Sequence, residues 1–471
     1  MVGGVRPLSF ALREFGADGF VQRPLAAPGA VAARRRGDST DGSVVKPVVG
    51  FVGMTHLGLV SASAVAGAGF ETICFDRDEG LVAGLRRGAL PVVEPDLLEL
   101  IAANGGRQTY TANVADIARC DVVYVAPDIA TDDEGRSDAS LLRELIELVG
   151  TVLREDAVLV VLSQVEPGFT RSMNHPELAR RYYQVETLVF GRAVERATRP
   201  ERYIVGCADP ERPLDPRYRA VLDAFNCPVL PMLYESAELA KISINCCLVA
   251  SVSVANMLAE LCEGIGADWS EIVPALKLDR RIGAHAYLAP GLGIAGGNLE
   301  RDLATVQRLA EAHAGDAGVV KAWRQNSRYR RDWAARTIRR VLLDKKSDAA
   351  VAVWGLAYKE NTHSVKNSPS LATIRQLKGT PIRVHDPVVP ASAAASSDVT
   401  GANDPLQATA GAEALMILTP WPAYRGIAPA DIARSLRGRI VLDPYAVLDR
   451  KAAEAAGLAY YTLGRRAAVD A

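Results

Sequence analysis

The sequence predicts an α/β chain of two Rossmann-like parallel-sheet domains joined by a long central helix. Three observations carry this. Short apolar runs alternate with helical patterns over residues 47–163, as βαβ units require. Between Glu235 and Gly264 no Pro or Gly interrupts an apolar pattern of helical spacing. A second set of buried-strand runs begins near residue 349.

Taken in order, residues 47–53 (Pro-Val-Val-Gly-Phe-Val-Gly) read as the first strand. A helix follows from Leu57 to Ala68 and ends at Gly69. The second strand, 70–75, ends at Asp76, and the runs 121–126 and 157–163 add two more. The segment 235–264 reads as one helix, roughly 45 Å long at 1.5 Å per residue. Beyond it come a strand at 349–356, a helix at 369–377, a strand at 381–385 ending in His385-Asp386-Pro387, and strands at 414–418 and 439–443. The expected division is a disordered extension over 1–46, a dinucleotide-binding domain over 47–232, a central helical region over 233–345 and a second Rossmann-like domain over 346–471. Residues 1–46 lack the apolar core of a signal peptide, and their Glu14 and Asp18 argue against a transit peptide.

Composition narrows the function. Apolar residues make up 49% and charged residues 23%, with Lys+Arg (54) nearly cancelling Asp+Glu (55). That balance offers no electrostatic footprint for nucleic acid or an anionic membrane. No run of about 18 apolar residues is apparent, so no membrane span is expected. Seven cysteines, an odd number with no C-x-x-C pair, fit a reducing, cytoplasmic compartment rather than a disulfide framework. The six scattered histidines form no metal motif.

The turn after the first strand reads Gly53-Met54-Thr55-His56-Leu57-Gly58, a dinucleotide fingerprint with Thr55 in place of the second glycine. Gly53 permits the tight turn and Gly58 the close packing of helix on strand. The amides of His56 and Leu57 open the helix, where a pyrophosphate binds, and the Thr55 hydroxyl is expected to donate to it. Asp76, at the end of the second strand, is placed for ribose hydroxyls. Arg77 beside it would suit a 2′-phosphate, but the carboxylate opposes one, so NAD rather than NADP is the expected cofactor.

Several separated segments together resemble the UDP-glucose/GDP-mannose dehydrogenase family, over roughly residues 48–465. They are Leu90-Pro91-Val92-Val93-Glu94-Pro95; the loop from Thr131 to Gly135; Glu238-Leu239-Ala240-Lys241 through Asn245; Asp279-Arg280-Arg281-Ile282-Gly283; the ungapped stretch Pro290 to Asp302; Gly355-Leu356-Ala357-Tyr358-Lys359; and Tyr460 to Arg465. The resemblance implies an NAD domain, a central helix forming the core of a homodimer, a C-terminal domain for a nucleotide sugar, and a site between the two sheets. It also implies roles. Lys241 and Asn245, four apart on one helix face, position the sugar; Asp302 pairs with Lys241 and takes the alcohol proton; Glu186 matches a family glutamate. Thr131 belongs to the cofactor loop. Arg281, Gly296, Gly297, Tyr358, Lys359 and Lys366 bind the substrate.

The main departure is Asn298, which stands where the family has a cysteine that captures an aldehyde intermediate as a thiohemiacetal. An amide is not such a nucleophile. Lys366 and Asn367 replace an Arg and a Glu, Phe190 replaces a Glu, and Gln164 replaces a Thr. The readings that follow are a two-electron oxidation of a nucleotide-linked hexose, a UDP-sugar first among them, stopping at an aldehyde or ketone; a four-electron oxidation to a uronic acid through an aldehyde hydrate; and a catalytically silent nucleotide-sugar binder. A simple β-hydroxyacid dehydrogenase lacks the second sheet.

Overall fold

A computed structural model of the chain describes residues 46–132, 135–174 and 180–467. The extension expected over 1–46 lies, but for Lys46, outside the described residues. Residues 46–471 form one compact unit containing two main sheets.

The first sheet has eight strands in the order Val229–Leu233, Tyr203–Cys207, Arg181–Gln184, Val158–Val161, Val122–Val125, Val49–Val52, Thr72–Phe75, Gln108–Thr111. All neighbours are parallel except Arg181–Gln184 against Tyr203–Cys207. Val49–Val52, Thr72–Phe75, Val122–Val125 and Val158–Val161 are fully buried or nearly so, because helices cover both faces; this explains their apolar runs. The chain runs outward in one direction from Val49–Val52, then returns to the other side of it. That reversal leaves a crevice at the carboxyl ends of Val49–Val52 and Val122–Val125, where a doubly wound sheet binds its ligand.

The second sheet repeats the plan with six parallel strands: Val399–Gly401, Ile382–His385, Val351–Trp354, Ala414–Ile417, Ile440–Leu442, Ala459–Tyr461. A shared device closes the first turn in each. Gly53 (φ 93°) and Gly355 (φ 94°) leave the first strand in a backbone conformation that disfavours a side chain. Asp76 then accepts the Met54 N–H at 2.8 Å, and Asp386 accepts the Leu356 and Ala357 N–H groups at 2.6 and 3.1 Å. Each aspartate ends the second strand of its own sheet.

The connecting helix spans Tyr234–Ile265, 32 residues. It begins against the first sheet, where a Cβ on Gly206 would meet Tyr234 and Ala237 at 3.0–3.1 Å. Farther along it packs on the helices Asn298–Ala312 and Gly318–Arg331. By length and composition this helix is apolar enough to cross a membrane, which corrects the expectation that no such run exists. Its packing on a sheet and two helices gives that apolarity a use inside the fold. A stripe of it stays uncovered in one chain: Val254, Met257, Leu261 and Ile265 recur at helical spacing and are each about half exposed or more.

Candidate active site

At the first crevice, Gly58 has no alternative. A Cβ there would lie 1.9 Å from the Gly53 carbonyl oxygen. Thr55 needs no glycine, since its backbone is extended (φ −78°, ψ −172°). Its hydroxyl donates to the Ala126 carbonyl (3.3 Å) and accepts from the Asp128 N–H (2.9 Å). The hydroxyl is thus engaged with the neighbouring loop, contrary to the expectation that it serves a phosphate.

Asp76 is half-buried at its strand end, and its second oxygen accepts from the Asp78 N–H at 3.0 Å. Arg77 pairs with Glu144 across exposed surface. His56 is buried, its Nε2 2.9 Å from a Glu94 oxygen, with Phe190 stacked on the ring at 4.1 Å. Glu94 also accepts the N–H groups of Gly191 (3.0 Å) and Ala193 (2.8 Å). A fully buried carboxylate with three donors is a structural anchor. The sequence offered it only as part of a motif.

The predicted catalytic residues converge, with one correction. Lys241 does not pair with Asp302. Its ammonium donates to the Glu186 carbonyl (2.8 Å) and lies 3.4 Å from the Glu186 carboxylate. Asp302, 1% exposed, is held instead by Gln164 Nε2 (2.6 Å), by the Asn245 amide and by Arg301 Nε (3.3 Å). Arg301 also donates to the Gln164 carbonyl oxygen. Burial raises the Asp302 carboxyl above its ordinary range, while Arg301, Asn245 and the more distant Lys241 pull it back. Helical spacing puts Lys241 and Asn245 on one face, but the two side chains reach different carboxylates.

Beside this cluster lies a cleft lined by His56, Leu57, Pro127, Asp128, Ile129, Gln164, Glu186, Leu188, Phe190, Asn298 and Arg301. Asn298 is exposed there, at the first turn of Asn298–Ala312. No cysteine lines it. Cys246 is half-buried with its thiol pushed up to about 11 by burial and by Asp302; Cys247 is exposed and Cys262 buried.

The substrate candidates form a second group, with one exception. Gly296 lies under Tyr358, whose ring a Cβ would meet at 3.1 Å, and its N–H donates to the Lys366 carbonyl (3.1 Å). Burial pushes the Tyr358 phenol up to about 12 and pulls the Lys359 ammonium down. Lys359 donates to the Phe190 carbonyl (3.0 Å), tying the second sheet's first turn to the first domain. Gly297 and Lys366 share a neighbouring basic cleft with Thr131, Arg324, Arg328 and Arg331. Asn367 donates to the Gly296 carbonyl (3.0 Å) and to Glu300. Arg281 is not brought here within one chain: its side chain is 89% exposed and bonds Asp279 at 2.7 Å. Among the described residues, no group of three His, Cys, Asp or Glu is arranged to hold a metal.

Two Rossmann-like sheets, with the Glu186–Lys241 carboxylate–ammonium pair beside the cleft at the first sheet's crevice, fit a nucleotide-dependent oxidoreductase. Residues 48–221 match the NAD binding domain of the UDP-glucose/GDP-mannose dehydrogenase family, residues 235–328 its central domain and residues 352–450 its UDP binding domain, and the chain belongs to that family. It is 30% identical over 417 residues to a UDP-glucose 6-dehydrogenase of Pseudomonas aeruginosa, covering 83% of this chain and 92% of that protein. It is 27% identical over 438 residues to the UDP-glucose 6-dehydrogenase TuaD of Bacillus subtilis, covering 89% and 93%. Among solved structures, a UDP-glucose dehydrogenase from the archaeon Pyrobaculum islandicum superposes with a TM-score of 0.77 at 27% identity, over 90% of this chain and 99% of that one. The protein is an NAD-dependent nucleotide-sugar dehydrogenase by family. The crevice fits NAD through the Gly53–Gly58 turn and through Asp76 at the strand end.

Two outcomes test this site. Asp76 should favour NAD over NADP by about 1.4 kcal/mol, or tenfold, in calorimetric titration; tighter NADP binding would overturn its assignment. Lys241→Ala should lower kcat by roughly 10²-fold with little change in Tm. Asp302→Ala should lower both, because it leaves buried Asn245 and Gln164 donors unpaired at roughly 1–3 kcal/mol each. Steady-state kinetics beside thermal melts separates the two roles.

Proposed function

We propose that the chain oxidises the hexose of a UDP-linked sugar by two electrons and releases an aldehyde or ketone. The relatives named UDP-glucose 6-dehydrogenases make UDP-glucose the first candidate. The observation that carries the proposal is Asn298: the cleft presents an amide at the position where the family has a thiol, and no cysteine lines that cleft. NAD, when bound, accepts the hydride from the carbinol carbon.

The chain's own residues handle the proton. Asp302 is buried under three donors and does not line the cleft, whereas Glu186 does, so the Glu186 carboxylate, positioned by Lys241, is the acceptor for the hydroxyl proton. Asn245, Gln164 and Arg301 hold Asp302 in place within electrostatic reach of Lys241. The Asn298 amide donates to the carbonyl oxygen as it forms. Tyr358, Lys359 and Lys366 hold the nucleotide-sugar diphosphate from the second domain, Thr131 and Gly297 line the basic cleft, and Gly296 gives Tyr358 its room. The division of labour is an NAD domain over 47–232, a central region over 233–345 and a nucleotide-sugar domain over 346–471. The seven unpaired cysteines fit work in the cytoplasm.

The stripe Val254, Met257, Leu261 and Ile265, together with the 84%-exposed Leu278 of the next helix, is the proposed contact of a homodimer. Arg281 lies beyond this stripe, three residues after Leu278, and in such a dimer it serves the partner's site.

Product analysis tests the chemistry. One NADH per sugar, with a hydrazine-trappable carbonyl product, is expected. Two NADH per sugar with a uronic acid would replace this reading with a hydrate mechanism, and no turnover of any UDP- or GDP-hexose would leave a silent binder. For the assembly, light scattering should give a dimer for the wild type and a monomer for Leu261→Glu; a monomeric wild type would remove the dimer.

A further inference from the structure

The helix His56–Gly67 starts with its positive end facing the dinucleotide crevice, has no acidic residue in its first turn and receives no cap from the Thr55 side chain. An anion is needed there, and the fold supplies one from the next loop. Asp128 Oδ2 accepts the His56 N–H at 3.1 Å. Its position is set by the neighbouring latch, in which the Thr55 hydroxyl accepts from the Asp128 N–H at 2.9 Å and donates to the Ala126 carbonyl at 3.3 Å. A glycine at position 55 would make no such latch.

The N–H that Asp128 holds is one a pyrophosphate takes when a dinucleotide settles on a helix N-terminus. We infer that Asp128 is an affinity-determining residue of the cofactor site, an internal carboxylate that the dinucleotide pyrophosphate displaces from the His56 amide before NAD seats. This rests on the family's use of the crevice for NAD and concerns only how tightly this chain holds it.

Burial raises the Asp128 carboxyl above its ordinary range, and Glu186, facing it from the segment after Arg181–Gln184, adds to that with a second carboxylate, while His56, itself 2.9 Å from buried Glu94, pulls the other way. Arg301, from Asn298–Ala312, lines the same cleft but is bonded to Asp302 and Gln164. A pyrophosphate arriving with Asp128 in place therefore meets a carboxylate at the His56 amide, and the bond to His56 is exchanged rather than gained.

Titration calorimetry of the full chain with NADH and with ADP-ribose, which carries the pyrophosphate but no nicotinamide, tests this. Asp128→Asn and Asp128→Ser remove the charge and should tighten both ligands at least tenfold in Kd. Asp128→Glu keeps the charge and should bring no gain. Equal or weaker binding by both neutral variants, with wild type binding normally, would overturn the proposal and leave the cofactor assignment standing. Absence of binding by every form would overturn both. Tightening for NADH but not ADP-ribose would also overturn it, because the effect would then lie at the nicotinamide.

Discussion

The buried carboxylate of Asp302 organises the centre of this molecule. Removing a carboxylate from water costs several kcal/mol unless donors replace the lost hydration. The donors come from three places: Asn245 on the long helix, Gln164 after the fourth strand of the first sheet in chain order, excluding the outer Gln108–Thr111, and Arg301 from the helix that carries Asp302 itself. The charge can be accommodated only when these elements are together. The same requirement fixes Lys241 one helical turn from Asn245, opposite Glu186, and sets Asn298 one turn before Asp302 at the mouth of the cleft. Chemistry and assembly are thus linked through one anion.

Around that centre the chain applies the same local solution twice. In both sheets a left-handed glycine ends the first strand, and an aspartate at the end of the second strand collects the turn's amides. Each crevice opens at the carboxyl ends of its strands, and the contact of Lys359 with the Phe190 carbonyl joins them. In the proposed function, a cofactor held on one side and a nucleotide sugar on the other meet over the cleft that holds Asn298.

Much of this was legible in the sequence, for identifiable reasons. Strands buried on both faces read as continuous apolar runs, so Val49–Val52, Val122–Val125, Val158–Val161 and Val351–Trp354 were evident. Gln108–Thr111 and Arg181–Gln184 were not, because Gln108, Arg181 and Gln184 are buried polar side chains whose partners lie on other elements. Gln108 donates to Ser63, and Arg181 donates to the Thr170 carbonyl. Helical spacing placed Lys241 and Asn245 on one face but did not say which carboxylate each meets. The Asp128 and Glu94 contacts were hidden for the same reason: a loop carboxylate reveals its partner only after the loop is folded.

The account turns on the nature of the cleft, where an amide replaces a thiol and the cysteines lie elsewhere. If oxidation proceeds without a covalent bond to the protein, the chain's mass never changes during turnover. The most direct test is intact-protein mass spectrometry of a single turnover with NAD and UDP-glucose, quenched in acid. The account predicts the unmodified chain mass at every time point alongside NADH formation; a transient sugar adduct on Cys246 or any other cysteine would contradict it.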